Sequence, residues 1–386
     1  MVLSIASLIT IMLICDLSIL ALSFYLNKYE RIQRIGVNGA LIGILLLHLR
    51  LLIPFEFSFQ YTIAEKLVLP SVFTILYFPI LKFHTYYLYI HHIFLLVWLL
   101  GAMIIGIRTI FIYVKFKKAL QTNLESDNTF IKDIITSLEK PYGKISNFSV
   151  IKSDLITAPL LFGIFKPYIV LPNIELSERD LYYILKHEIT HYYYHDLWIK
   201  CFVEVIAIIY WWNPLIYILK QQIDKILEIR VDLAITKQLD ESKKIHYLEC
   251  LLFIAKENTT SKVNYFVLTF NSESASVLAQ RFHIVLDDNP RKKSPAKNLI
   301  VLLISALILA LISVVVLEPY SISYIDQQQT VELTTETSFL VINPNGGYDI
   351  YLNGDYFGTV SEIKDSYSNL HIFKNAKEGF SYENKK

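Results

Sequence analysis

The sequence predicts a multi-pass α-helical membrane protein with an α+β domain between its spans and a small β-rich tail. Three observations carry this reading. Four long apolar runs punctuate the chain, a block of helix, strand and turn signals lies between the third and fourth, and strand–turn alternation follows the last. Hydrophobic residues make up 54% of the 386, above the ~45–50% of soluble domains, and mean hydropathy is +0.42.

The runs cover residues 2–26, interrupted by Asp16, then 35–53, 88–114 and 299–317. Each approaches the ~20 residues that cross a bilayer core as a helix. The first has no basic leader segment and exceeds the ~7–15 apolar residues of a signal-peptide core, so it is expected to be a retained span. Basic residues orient the spans. Lys28, Arg31 and Arg34 separate the first two; Arg108, Lys115, Lys117 and Lys118 mark the end of the third. Arg291, Lys292, Lys293 and Lys297 precede the fourth, whereas Glu318, Asp326, Glu332 and Glu336 follow it. All basic clusters share one side if the N-terminus is outside and all four runs cross. The expected domains are then residues 1–114 (three spans with loops), 115–297 (a cytoplasm-facing domain with its linker), 298–317 (the fourth span) and 318–386 (an outer tail).

The central domain contains His187-Glu188-Ile189-Thr190-His191. Residues four apart share a helix face, so both imidazoles can grip one Zn2+, with Glu188 placed to take a proton from the attacking water. The helix begins at Ser177, an N-cap with Asp180 three residues on. Zinc needs a third protein ligand, and the best downstream candidate is Glu228 in Glu228-x-x-x-Asp232. The intervening apolar run, 201–219, could pass for a fifth span, but a single crossing would strand Glu228 across the bilayer. Asn213-Pro214 reads as an N-cap and first turn, so the run is expected to be a helical hairpin, soluble or dipping into the membrane. Upstream, Pro167 to Pro172 is a short strand bounded by prolines. It suits either an edge strand able to pair with a peptide substrate or a core strand.

Taken in order, these pieces make the chain similar to integral-membrane zinc metallopeptidases of the BlaR/MecR type, sensor-transducers that act as antirepressors. The matching segments are Leu49-Arg50-Leu-Leu-Ile-Pro54, Ala158 to Pro172, His187 to His191 with Asp196-Leu-Trp198, Trp211-Trp-Asn213-Pro214 and Glu228-x-x-x-Asp232. The resemblance spans residues 1–317. It implies a gluzincin-like α+β zinc peptidase fold in a bacterial cell membrane. It also implies His187, His191 and Glu228 as metal ligands, Glu188 as catalytic base and Asp232 as a carboxylate helper behind a ligand histidine. The implied substrate is a cytoplasmic winged-helix repressor, with the chain itself as a second candidate. The best-known members carry a penicillin-binding sensor domain. Residues 318–386 are read as having none of its Ser-x-x-Lys, Ser-x-Asn and Lys-Thr-Gly elements, so covalent β-lactam sensing is not expected. They read instead as strands at 338–342, 349–352 and 356–357 with an Asn353-Gly354 turn.

Other residues have plainer readings. His84, His91 and His92 suit an aromatic interface belt better than a metal cluster. Tyr192 to His195 suit packing, and Arg50 is expected to reach the interface. Arg281 reads as a topology signal together with the basic run at 291–293. The polar linker 255–297 is where a self-cleavage site could fall. Cys15, Cys201 and Cys250 lack CxxC spacing and are expected to be reduced and buried. A net charge of +1 gives no case for nucleic-acid binding. A quality-control peptidase of the HtpX/Ste24 type shares the HExxH and Glu-x-x-x-Asp elements, and a non-catalytic receptor is the binding-module alternative. The Pro159–Pro172 loop and the outer tail favour the signalling enzyme.

Overall fold

The computed structural model describes residues 2–26, 37–57, 59–83, 86–121, 129–237, 239–260, 275–286, 295–320, 333–335, 337–343, 346–360, 363 and 369–383. The topology signals Lys28, Arg31, Arg34, Arg291, Lys292 and Lys293, the acidic Asp326, Glu332 and Glu336, His84, and most of the candidate self-cleavage linker lie outside them. So do both ends of Ser361-Glu-Ile-Lys364, an isolated Ser-x-x-Lys spacing that does occur in the tail.

In chain order the elements are β1 (Val2–Leu3), α1 (Ile5–Leu26), α2 (Val37–Leu52), β2 (Phe55–Glu56), β3 (Tyr61–Glu65), α3 (Leu69–Leu76), β4 (Pro79–Phe83), β5 (Tyr86–Tyr89) and α4 (Ile90–Gln121). There follow α5 (Thr129–Glu139), β6 (Ser149–Ser153), β7 (Leu160–Phe162), β8 (Tyr168–Pro172), α6 (Glu178–Tyr193), α7 (Asp196–Ile209), α8 (Pro214–Thr236), α9 (Glu241–Thr260), α10 (Ala275–Leu286) and α11 (Pro295–Val314). The chain closes with β9 (Val315–Pro319), β10 (Ser338–Ile342), β11 (Tyr348–Leu352), β12 (Asp355–Val360), β13 (His371–Phe373) and α12 (Ala376–Glu383). They form two compact units, residues 1–65 with 91–318, and residues 66–90 with 319–386.

Two described helices, α1 and α4, are long and apolar enough to cross a membrane. The other two expected spans appear as shorter apolar helices, Val37–Leu52 and Leu299–Val314. Sixteen residues of helix, the length of α2, rise about 24 Å, short of the ~30 Å hydrocarbon core. The fourth run also stops being helical before residue 317. At Val314-Val315-Val316 it passes into β9, because three β-branched side chains in a row favour extended backbone.

In the first unit α1, α2, α7 and α8 share one apolar core built on Cys15, Ile19, Leu47, Leu51, Ile206, Ile216 and Ile226. The 201–219 run is a hairpin: α7 and α8 pack together and meet at Asn213. Asn213 caps α8 by accepting from the Leu215 N–H at 2.9 Å, with Pro214 in the first turn. Its amide also donates to Asp16 of α1 at 2.8 Å. The Trp98 indole of α4 donates to the Ile209 carbonyl, and Tyr210 donates to the Leu51 carbonyl. Gly101 lets the Trp211 indole lie directly against α4, where any Cβ would collide with the ring.

Two expectations are corrected here, and one open choice is decided. Arg50 is buried, with 4% exposure. Its guanidinium reaches the Ile53 and Phe55 carbonyls beyond α2 and lies over Phe57, giving backbone acceptors of the segment after the helix their donors. Cys201 is exposed, whereas Cys15 and Cys250 are buried, because position 201 lies across α7 from its buried Val203, Ile206 and Ala207. Of the two readings of the Pro167–Pro172 strand, β8, the core strand is the one the sheet shows. The sheet order is β6-β8-β7, parallel to β6 and antiparallel to β7. Ile169 and Leu171 face one apolar cluster and Val170 another, the two-sided burial of a central strand.

The second unit holds a four-stranded sheet in the order β12-β11-β10-β13. Its expected Asn353-Gly354 hairpin forms with both residues at positive φ, 49° and 85°, as a two-residue turn of this hand demands. Phe339, Tyr351, Phe373 and Phe380 pack as an aromatic cluster on this sheet. The same unit carries α3 and the β4–β5 hairpin.

Candidate metal centre

Ser177 starts α6 as expected, its hydroxyl accepting from the Asp180 N–H at 3.1 Å. The helix carries Tyr183, Ile184, Leu185 and Ile189 into an apolar cluster with Ile169, Leu171 and Val231. His187, Glu188 and His191 are buried at 8%, 7% and 6% exposure. Beside α6, α8 brings Glu228 in, so a residue 41 positions from His187 meets both imidazoles.

The Nε2 atoms of the two histidines are 3.0 Å apart. One Glu228 oxygen lies 3.2 Å from His187 Nε2 and the other 3.5 Å from His191 Nε2. Three donors bound tetrahedrally to one zinc at ~2.0–2.1 Å stand about 3.3 Å from each other, so this trio has the spacing that a single ion requires. Among the described residues it is the one group of three or more possible ligands that close together. The His91 and His92 rings lie beside each other, centroids 4.2 Å apart and planes tilted by 39°.

The outer nitrogens decide whether the inner ones can bind. His191 Nδ1 lies 2.6 Å from Asp196 Oδ2, and a carboxylate can only accept, so the proton sits on Nδ1 and the Nε2 lone pair is free. Asp196 is itself held by Arg230, which also donates to the Tyr194 carbonyl and lies over the Tyr194 ring. His187 reaches the same state by a longer route. Its Nδ1 is 2.9 Å from the Tyr247 hydroxyl, which donates to Asp232 at 2.6 Å. With that hydroxyl proton spent on Asp232, the contact with His187 is made by Nδ1–H, which leaves Nε2 as the ring nitrogen turned inward to bind a metal. Burial and the neighbouring Asp232 carboxylate push the Tyr247 hydroxyl well above its ordinary range, so it keeps that proton.

Asp232, expected as a helper of a ligand histidine, is 3.9 Å from His187 Nδ1 and acts through Tyr247. Arg281 of α10 holds it in a two-pronged pair, Nε to Oδ2 at 2.7 Å and an Nη to Oδ1 at 2.8 Å, and a second Nη approaches Glu228 at 3.4 Å. Arg281 is 4% exposed. A side chain this buried, pairing two carboxylates of the centre, is no topology signal. Burial would raise the Glu228 carboxyl, but the hydrogen bonds and charge around it, Arg281 among them, hold it well below the usual carboxylate range. It meets a cation as an anion.

Asp196 stood in a recognised segment but carried no expected role, Tyr247 and Arg230 were missed, and Arg281 was read as a topology signal. Asp196 comes within reach because His195 turns the chain sharply at φ 59° between α6 and α7. The signal for Tyr247 is weak, since it amounts to one tyrosine with 1% exposure whose hydroxyl must find a partner.

Residues 83–285 match the family described as BlaR1 peptidase M56. The regulatory protein BlaR1 of Bacillus licheniformis is 30% identical over 175 residues, 44% of this chain and 29% of that protein. The methicillin resistance mecR1 protein of Staphylococcus aureus is 25% identical over 287 residues, covering 72% and 46% respectively. The regulatory protein BlaR1 of Staphylococcus aureus is 23% identical over 205 residues, 51% of this chain and 34% of that protein. The chain thus spans between 29% and 46% of the length of these curated relatives. The matched stretch includes His187, Glu188, His191, Glu228, Asp232, Tyr247 and Arg281, and the chain belongs to the BlaR1 peptidase M56 family.

Proposed function

We propose that the chain is a membrane-embedded zinc endopeptidase of signal-transduction type with a gluzincin-like catalytic domain. His187, His191 and Glu228 would hold Zn2+, and Glu188 is the catalytic base. The observation that carries this reading is the convergence of two imidazole lone pairs and one carboxylate, each oriented by a partner on its far side. Bound zinc supplies Lewis acidity toward the scissile carbonyl. Glu188, buried on the turn that carries His187, takes the proton of the attacking water and returns it to the leaving amine. Asp196 and Tyr247 hold the histidine rings in the binding tautomer while this happens.

The chain crosses a bacterial membrane several times, with N-terminus and tail outside and the domain of residues 115–297 facing the cytoplasm. Supporting this are the exposed apolar side chains along α4, among them Leu95, Leu96, Leu99, Ile104 and Ile107, an outer surface that lipid would cover. The α7–α8 hairpin enters from the cytoplasmic side and returns. Asn213 at its tip bonds Asp16 near the middle of α1, which satisfies two polar groups at membrane depth. The substrate is a cytoplasmic protein, a winged-helix repressor being the first candidate and the chain itself the second. The name of the relatives as regulatory proteins favours this over a quality-control role.

Full-length Glu188→Ala protein is expected to retain about one zinc per chain, as the wild type does, and to lose proteolysis. Comparing cytoplasmic proteins of cells carrying either form identifies the substrate as the one cut only by wild type. Continued cleavage by Glu188→Ala overturns the assignment. Reporters fused after Val150 and after Phe380 are expected to read cytoplasm and exterior, and the reverse overturns the topology.

A further inference from the structure

Arg281 lies outside the ligand set, yet among the described residues it is the most deeply buried cation at the centre. It is carried by α10, which precedes α11 in the chain, and its guanidinium is shared between Asp232 and Glu228. Asp232 is fully buried. Its two oxygens are occupied by Arg281 and by the Tyr247 hydroxyl, which in turn orients His187. A planar, permanently charged fork matches this carboxylate in a way that an ammonium cannot.

We infer that Arg281 is a positioning residue that sets the metal affinity of the centre from α10. It acts through two routes. The Asp232–Tyr247–His187 chain fixes one ligand ring, and the contact with Glu228 fixes the rotamer of the third ligand. A displacement of α10 that withdraws Arg281 therefore loosens the hold on metal without moving either histidine-bearing turn of α6. This makes α10 a point at which metal retention, and with it activity, is controlled. The inference rests on the zinc-site reading above.

The test measures zinc affinity of the purified full-length protein by competition with a chromophoric chelator, together with the visible spectrum of the Co2+-loaded form. Arg281→Met is expected to weaken zinc about 10–100-fold, the usual effect of losing an outer partner of a metal ligand. Arg281→Lys, which keeps the charge and loses the fork, is expected to fall between it and wild type. The double variant Asp232→Asn with Arg281→Met removes the unpaired buried charge that could unfold the single variant. A merely structural role predicts that this neutral pair recovers wild-type affinity and cobalt spectrum. Positioning predicts that it stays weak, with an altered spectrum. Affinity within about twofold of wild type in Arg281→Met or in the double variant overturns the inference. His187→Ala is the control. If it loses zinc while Arg281→Met does not, Arg281 alone has been misassigned. If it keeps wild-type affinity, the zinc-site reading fails and takes this inference with it.

Discussion

The two histidines of the centre are oriented by different parts of the molecule. His191 rests on Asp196, five residues away, brought round by a single turn. His187 rests on Tyr247, 60 residues away on α9, then on Asp232 of α8 and Arg281 of α10. Both arms end alike, in a carboxylate paired with an arginine, Arg230 on one side and Arg281 on the other. The first needs the turn between α6 and α7 and one further helix, α8, which brings in Arg230. The second exists only when three further helices are docked. One centre thus combines a ligand set locally with a ligand set by assembly, and any influence that moves helices acts on the second.

Removing the carboxylate from each arm breaks this comparison most directly. Asp232→Ala takes from Arg281, buried at 4% exposure, the carboxylate of its two-pronged pair, so a loss of about 3–5 kcal/mol in stability is expected, together with most of the bound zinc. Asp196→Ala is expected to cost zinc about 10–100-fold in affinity but only about 1–3 kcal/mol in stability, because Arg230 keeps the Tyr194 carbonyl and ring. Denaturant midpoints and zinc titrations of the two variants give the order. A larger stability loss in Asp196→Ala reverses the account. The smallest effect sharpens the boundary of the site. Ser177→Ala removes only the cap of α6 and is expected to cost about 1 kcal/mol with unchanged zinc affinity. A changed affinity would mean that the helix start, too, tunes the centre.

Which parts of this were legible in advance follows from how far apart the partners are. Ser177 and Asp180, Asn213 and Leu215, and Asn353 and Gly354 were readable, because each is a contact between neighbours that residue type alone specifies. The Glu228 candidacy came from chemistry, since zinc needs three protein donors, and its position beside the imidazoles needed the α7–α8 hairpin to fold back. Arg281 was misread because a basic residue ahead of an apolar run looks the same whether it orients the run or pairs with a carboxylate 49 positions earlier. The β8 strand was ambiguous for a related reason. Prolines at both ends suit an edge, and only the pairing of both flanks by β6 and β7 made it central.

Sequence by itself determined the donor types, the spacing that puts two imidazoles and a carboxylic acid on one helix, and the turn at Asn213 that brings the chain back. Those are fixed by periodicity, capping and coordination chemistry acting over a few residues. Tertiary structure alone decided that Tyr247 stands between Asp232 and His187, that Arg281 joins Asp232 to Glu228, and that Asp16 meets Asn213 across 197 positions. A buried polar atom must find a partner wherever packing leaves one within reach, and no local pattern in the chain records which residue packing will supply.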